Sequence, residues 1–208
     1  YSAGLSGGSS LRLKATGLRS GGNGLGKVYS LRGRIGEAEV AQLQVGDVIY
    51  ITGEIFTMRD QAHLKALEIL RGGGRLPFDL EGGVIYHCGP LVKGGKVVSA
   101  GPTTSMRMER SEGEIIARTG AKCIIGKGGM GPGTLSALSK HSAVYTEYPG
   151  GAGALAARSV VGIRGVYWRE LGDPEAVWAL EVEDFGPCFV TMDSHGRTLR
   201  ENLKKGAP

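Results

Sequence analysis

Aromatic side chains are scarce in this chain, 6% of 208 residues, and that scarcity narrows what it can bind. Single-stranded nucleic acids are held by aromatic platforms set among Lys and Arg. Here the net charge of +5 is dispersed along the sequence instead of gathered into a basic face, so no nucleic-acid partner is expected. Long apolar runs are also missing. None approaches the ~20 residues that cross a bilayer, and no membrane partner is expected. No basic stretch followed by an apolar one opens the sequence, which leads to the expectation of a cytoplasmic protein. Cysteine is sparse: Cys88, Cys123 and Cys188 are far apart and set in apolar segments. An odd number at such spacing argues against a disulfide framework, and no CxxC pair suggests zinc. Cysteines remote in sequence can meet in space, so spacing alone leaves cluster ligation open, although buried free thiols are the commoner state.

Glycine, by contrast, is abundant, with 37 residues and no collagen-like period. Many stand in runs at expected turns, as at Gly72-Gly73-Gly74, Gly94-Gly95 and Gly128-Gly129, which suits tight strand–helix junctions. Residues 1–26 are rich in Gly and Ser without an apolar period and read as a flexible leader. Residues 27–208 are long enough for a single domain with a sizeable core. Their patterning predicts strands at 28–34, 48–56, 84–88, 96–100, 123–125 and 143–146, the third and fourth of them buried. Helices are predicted at 37–43, 60–70, 112–118, 134–141 and 152–158. For the helix at 60–70, Ala62, Leu64, Ala66, Leu67, Ile69 and Leu70 form the expected apolar side. Further β runs at 163–167, 180–182 and 189–192 cluster late, before a polar helix near 198–204, so the expected class is α/β with a mixed sheet flanked by helices.

Three segments carry the chemistry, and each is expected where a strand gives way to a loop or helix. The first runs from Val97 to Arg107. Its apolar part stops at Gly101-Pro102, and Thr103, Thr104 and Ser105 follow as expected helix caps, with Arg107 close behind. In the second, Thr57-Met58-Arg59-Asp60-Gln61-Ala62-His63 ends a long apolar run; the third is Ile124-Ile125-Gly126-Lys127-Gly128-Gly129. Arg59, Arg107 and Lys127 would then be three cations delivered from three strand ends, which suits a polyanion or a dicarboxylate. Asp60 complements the start of its helix, and Asp60 and His63, the latter one turn on, are possible supports for the pocket. A threonine acts as a base only when another group activates it, and no carboxylate stands near Thr103 in sequence. A rival pattern, GxGxxG at residues 126–131 with Glu147 about twenty positions on, fits dinucleotide binding. It falls past mid-chain, which leaves little room for the usual βαβ units.

Taken together, these segments resemble a known family. Val45-Gly46-Asp47-Val48, Thr52-Gly53, Thr57 to His63, Leu76-Pro77-Phe78-Asp79-Leu80, Ser99 to Met108, Ile125 to Gly128, Gly150 to Ala154 and Leu180 to Phe185 occur in the order of the beta subunit, or C-terminal domain, of iron–sulfur-dependent class I fumarate hydratases and the related L-tartrate dehydratases. The resemblance implies a swivelling β/β/α domain that forms half of a hydro-lyase, with fumarate and L-malate as the first expectation and L-tartrate as the alternative. It implies a 4Fe-4S cluster carried by a partner alpha subunit, with no metal held by this chain, in a heterodimer or larger assembly. Thr103 is implied in proton abstraction next to a carboxylate, and Arg59, Thr104, Arg107 and Lys127 in substrate binding. Any carboxylate that activates Thr103 is then expected from the alpha subunit.

Overall fold

The computed structural model describes residues 14–15 and 26–200. Most of the expected leader, and most of the helix expected near 198–204, lie outside the described residues. In chain order the elements are β1 (Lys14–Ala15), β2 (Val28–Arg32), α1 (Glu37–Val40), β3 (Val48–Thr57), α2 (Asp60–Arg71), β4 (Val84–Tyr86), β5 (Leu91–Lys93), β6 (Lys96–Ser99), α3 (Glu109–Thr119), β7 (Cys123–Gly126), α4 (Pro132–Lys140), β8 (Val144–Glu147), α5 (Gly153–Arg158), β9 (Val160–Tyr167) and β10 (Val177–Met192). No described helix is long and apolar enough to cross a membrane.

The expected mixed sheet is present, with strand order β1-β2-β3-β4-β7-β8-β10-β9. Strands β2, β3, β4, β7 and β8 are mutually parallel neighbours. Along one edge β10 runs antiparallel to β8 and β9, and along its other edge it pairs with β3 from Ala179↔Phe56 to Phe189↔Val48. Because β10 reaches both β8 and β3, the path β3-β4-β7-β8-β10 returns to its start and the sheet closes on itself. Alternation then divides the core in two. Ile49, Ile51, Tyr86, Ile125, Leu180 and Val190 pack on one face; Ile85, Ile124 and Tyr145 pack on the other against Ala66 and Leu67 of α2, Ile115 and Ile116 of α3 and Leu138 of α4. Both faces of β4 and β7 are covered, hence their unbroken apolar runs Val84-Ile85-Tyr86 and Cys123-Ile124-Ile125.

Four expectations need correction. The strand at Lys96–Ser99 is not buried: it forms a separate two-stranded ladder with β5, and its residues alternate between exposed and half-buried. Gly94 and Gly95, at φ 56° and 74°, make the tight turn between the paired Lys93 and Lys96, a backbone that side chains strain to adopt. The late runs at 180–182 and 189–192 are parts of one strand, Val177–Met192, whose register shifts on either side of Phe185 had broken the periodicity. On α2, Leu64 is 59% exposed, and His63 takes the buried position instead. Residues 59, 62, 63, 66 and 67 share a helical stripe that 64 does not join. Finally, α1 is one turn, ending at Val40 and not at Leu43, although both side chains are buried.

Loss of packing where β10 joins both neighbours has a defined cost. Leu180→Ala empties a fully buried position and should destabilise the chain by about 2–5 kcal/mol in urea unfolding. Val161→Ala, at a position 58% exposed on the edge strand β9, should stay within about 0.5 kcal/mol of the parent. Equal losses at the two sites would contradict the closed-sheet core.

Candidate active site

Because β3, β4 and β7 are parallel, their C-terminal ends lie along one edge, and the residues that follow them emerge side by side: Arg59, His87 and Lys127. The segment from Gly101 to Met108 threads across this edge. Pro102 bridges to Cys88 and Thr104 to Lys127. The Thr103 N–H donates to the His87 carbonyl at 2.7 Å, and the Ser105 N–H to the Lys127 carbonyl at 3.0 Å. All three expected segments therefore meet.

Their side chains meet in part. Arg107 Nη2 donates both to Thr103 Oγ1 and to Asp60 Oδ2, each at 2.9 Å. Asp60 is thus more than a partner for the helix dipole. A carboxylate of this chain lies one guanidinium away from Thr103, a proximity that sequence distance conceals. Arg107 and Lys127 are exposed. Arg59 turns aside: its Nε lies 3.1 Å from Glu175 Oε1 without the alignment of a hydrogen bond, and its guanidinium covers Gly89, where a Cβ would approach Nη1 to 2.7 Å. The expected capping role fails for all three hydroxyl residues. Thr104 stands at the cap of the short 3₁₀ turn Ser105–Met108, but no side chain caps that turn, and Ser105 points inward.

Beneath the rim is a buried polar chain. Glu112 of α3, His63 of α2, and His87 and Ser105 are all 0% exposed. His63 Nε2 and His87 Nε2 both face Glu112 Oε2, at 3.0 and 2.8 Å. On its other side His63 Nδ1 faces the Arg59 carbonyl at 2.9 Å, and His87 Nδ1 faces Ser105 Oγ at 2.9 Å. Ser105 Oγ in turn accepts from Tyr145 Oη–H at 2.9 Å and from the Lys127 N–H at 3.0 Å. One proton assignment satisfies the chain. With both its nitrogens against oxygen acceptors, His63 is an imidazolium; His87 is neutral, donating from Nε2 and accepting the Ser105 proton at Nδ1. Burial opposes the charge on His63, but Glu112 outweighs it and raises the group above its ordinary value. For His87 burial prevails and lowers it. Burial also disfavours the Glu112 carboxylate, yet the two facing histidines more than offset this and hold its carboxyl low. Glu112 Oε1 has no partner among the described residues. The trio's ligand atoms lie within 4.8 Å of one another, close enough to hold a metal ion, but the hydrogen-bond separations are those that protons bridge.

Of this chain only His63 was among the residues expected at the site. Glu112 carried a legible signal: it falls on the same helical stripe as Ile115 and Ile116, so a charge stands where the pattern demands an apolar residue. All three cysteines are free and buried in the apolar core, and burial pushes the Cys88 and Cys123 thiols up to about 12 and Cys188 up as well.

The GxGxxG reading meets a physical obstacle. In that fingerprint the pyrophosphate sits on the N-terminus of the following helix. Here Glu109 already occupies that position on α4: its carboxylate accepts from the N–H groups of Gly131, Gly133 and Thr134 at 2.7, 2.9 and 3.1 Å, and from Thr134 Oγ1 at 2.6 Å. Gly126 serves packing, since a Cβ there would lie 1.8 Å from Ser105 Oγ.

Comparison with known proteins adds an independent finding. The family model described as fumarase C-terminus matches residues 23–203. A putative L(+)-tartrate dehydratase subunit beta from Methanocaldococcus jannaschii is 47% identical over 179 residues, 83% of this chain and 91% of that one. The L(+)-tartrate dehydratase subunit beta of Escherichia coli K12 is 46% identical over 171 residues, 80% of this chain and 84% of that one. A putative fumarate hydratase class I from Geobacillus stearothermophilus is 42% identical over 186 residues, 87% of this chain but 35% of that longer protein.

Two outcomes test the electrostatics. A His63 raised above 6.5 stabilises the fold fully below that pH and loses its contribution as pH rises through the folded value. Glu112, lowered from 4.5, stabilises above that pH and fails only as pH falls through its own folded value. His87 titrates in the opposite sense to His63 and is common to both proteins compared. The gap in melting temperature between the parent and His63→Gln should therefore be widest between about pH 4.5 and 6.5 and narrow toward alkaline pH; a pH-independent gap would exclude the imidazolium. Separately, Glu109→Ala should cost about 1–2 kcal/mol in urea unfolding through the lost cap, and the parent chain should give no enhancement of NADH fluorescence.

Proposed function

This chain belongs to the fumarase C-terminus family, and on that premise we propose that it is the beta subunit of a hydro-lyase acting on a four-carbon dicarboxylate, with L(+)-tartrate preferred to fumarate. The observation that carries the reading is the convergence of Asp60, Arg107 and Thr103 beside Lys127 at the open edge of the sheet. Fumarate is the first expectation from the motifs alone. The relatives reverse that order, because those matched over most of both chains at 47% and 46% identity are named for tartrate.

Elimination of water from such a substrate begins with removal of a proton from the carbon beside a carboxylate. Thr103 is the proposed base. By accepting a hydrogen bond from Arg107 Nη2, its oxygen gains a cation that favours the alkoxide over the hydroxyl, and the hydroxyl proton passes to the carboxylate expected from the alpha subunit. Asp60 accepts a second hydrogen bond from the same Nη2, which leaves the Nε and Nη1 donors of Arg107 for a substrate carboxylate. Lys127 follows the next strand end and Thr104, bridged to it, lies on the crossing segment; the two are proposed to hold the second carboxylate, while Arg59 must leave Glu175 or be reached beside it.

Departure of the hydroxyl falls to groups outside this chain. The resemblance implies that a 4Fe-4S cluster on an alpha subunit would supply that chemistry; the three thiols of this chain are free and buried. The exposure of Arg107 and Lys127 supports the same division of labour. Cations at an open rim are weak in water and become strong when a partner surface closes over them and excludes it.

The decisive experiment is anaerobic co-purification with the cluster-bearing partner, assayed for oxaloacetate from L(+)-tartrate and for interconversion of fumarate and malate. Turnover efficiency should be higher on tartrate, and neither reaction should occur with this chain alone. Higher efficiency on fumarate would overturn the substrate assignment, and turnover by the isolated chain would overturn the two-subunit reading. Within the complex, Arg107→Lys keeps charge but loses the planar fork, and should lower turnover efficiency by about 10- to 150-fold, the loss of one charge-assisted hydrogen bond. Thr103→Val should lower the rate by about 10²–10⁴-fold with little change in melting temperature, since its hydroxyl caps no helix. Early melting with full turnover per folded molecule would remove Thr103 from the chemistry.

A further inference from the structure

Glu112, His63, His87 and Ser105 of the buried chain under the rim are closed to solvent, yet each end of the chain terminates in a segment that carries a cation. From Glu112 Oε2 one branch runs through His63 to the carbonyl of Arg59. The other runs through His87 to Ser105 Oγ, and from there to the backbone N–H of Lys127. Ser105 lies between Thr104, which bridges to Lys127, and Arg107, which grips Thr103.

We propose that Glu112 is the positioning residue of the clamp: a single buried carboxylate, with one histidine in each direction, that sets the relative placement of the Arg59, Thr103–Arg107 and Lys127 loops. The inference rests on the site being a dicarboxylate clamp, but the linkage of the loops is a separate claim with its own measurement.

Three observations support it. A carboxylate taken out of water is retained only at a cost that apolar packing would avoid, and α3 has apolar neighbours at the adjacent stripe positions, Ile115 and Ile116, that show such packing is available. The unpartnered Oε1 adds a further penalty that a purely structural role does not explain. The geometry is also that of a shared anchor: both histidines converge on the same oxygen, and each presents its second nitrogen to a different loop. Displacement at Glu112 must therefore reach both branches, whereas displacement at either histidine reaches one.

That branching makes the test selective. Hydrogen exchange by mass spectrometry is measured on the full chain, alone and assembled with its partner, for the parent and for Glu112→Gln, His63→Gln and His87→Gln. Glu112→Gln should raise exchange in the segments 57–63, 103–108 and 126–130 together while leaving β9 and the first half of β10 unchanged. His63→Gln should loosen only the first segment, and His87→Gln only the other two. In the assembled enzyme Glu112→Gln should raise KM for the dicarboxylate by roughly 10- to 100-fold, the scale of misplacing a positioned group, and should act non-additively with either histidine variant. His63→Gln should raise KM with kcat changed less than about 3-fold, whereas His87→Gln should lower kcat as well because its branch borders Thr103.

A uniform rise in exchange across the chain, or none in the three segments, would overturn the proposal. So would a stoichiometric divalent metal on the parent chain that Glu112→Gln removes, since the trio would then be a metal site. If Glu112→Gln does not fold, the two histidine variants decide, and equal effects of both on all segments would refute the branching. An assembled enzyme inactive on both dicarboxylates would defeat the clamp reading, yet the exchange pattern would still establish or refute the linkage.

Discussion

Ser105 Oγ occupies the volume that any side chain at residue 126 would need, and much of the site depends on that one close approach. Because Gly126 ends β7 without a Cβ, the segment carrying Thr103, Thr104 and Arg107 can lie directly on the strand end. There the Ser105 hydroxyl joins the neighbouring strands' polar groups: His87 after β4, Tyr145 of β8 and the backbone of Lys127. A methyl group at residue 126 would push this segment outward and separate Thr104 from its bridge to Lys127. Packing at a single atom thus controls the distance between two loops that the chemistry requires to be adjacent. Glycine abundance, a diffuse compositional fact, becomes specific at this position.

Charge is layered above and below that contact. On the rim, Arg107–Asp60 is partly exposed, as are other pairs such as Arg71–Glu114 and Arg164–Glu181, and pairs of this kind contribute little to stability. The Arg107–Asp60 pair differs from the others because the guanidinium also holds Thr103, so its geometry is fixed on two sides. Below, the charges are sealed from water, and there the balance must be close. One ionised carboxylate faces one imidazolium and one neutral imidazole, leaving no net charge on this buried trio. The rim can therefore carry excess positive charge for an anionic substrate without the core beneath it adding to or cancelling the field.

The sequence made much of this legible, for reasons that can be stated residue by residue. The strand ends at Thr57 and Gly126 were readable because buried parallel strands are unbroken apolar runs that stop abruptly at polar residues. Arg59, Arg107 and Lys127 followed from those stops. The pairing of Thr103 with Arg107 was latent in their four-residue spacing, but Asp60 joins them from forty-seven positions away, and no local rule reports such a distance. His87 was hidden inside an apolar run expected to be strand as far as Cys88. β10 was divided because its register shifts interrupt the period of two on which strand recognition rests. The hairpin of β5 and β6 is hidden for the opposite reason: Gly94-Gly95 reads as a turn, but Leu91–Lys93 before it is too short a run to show a period.

The GxGxxG stretch shows where pattern and physics part. The glycines, the preceding strand and the distant acidic residue all match a dinucleotide fingerprint, and α4 does begin where that fingerprint demands. What decides is occupancy. A helix N-terminus attracts an anion because its first N–H groups lack partners, and on α4 Glu109 has taken that place with three backbone donors and a hydroxyl. Glu109 opens α3, the helix that also carries Glu112 one turn later. The same helix thus closes the anion site suggested by the motif and supplies the carboxylate under the edge where the cations gather. On the proposed reading, anion recognition is left to the side chains at the strand ends.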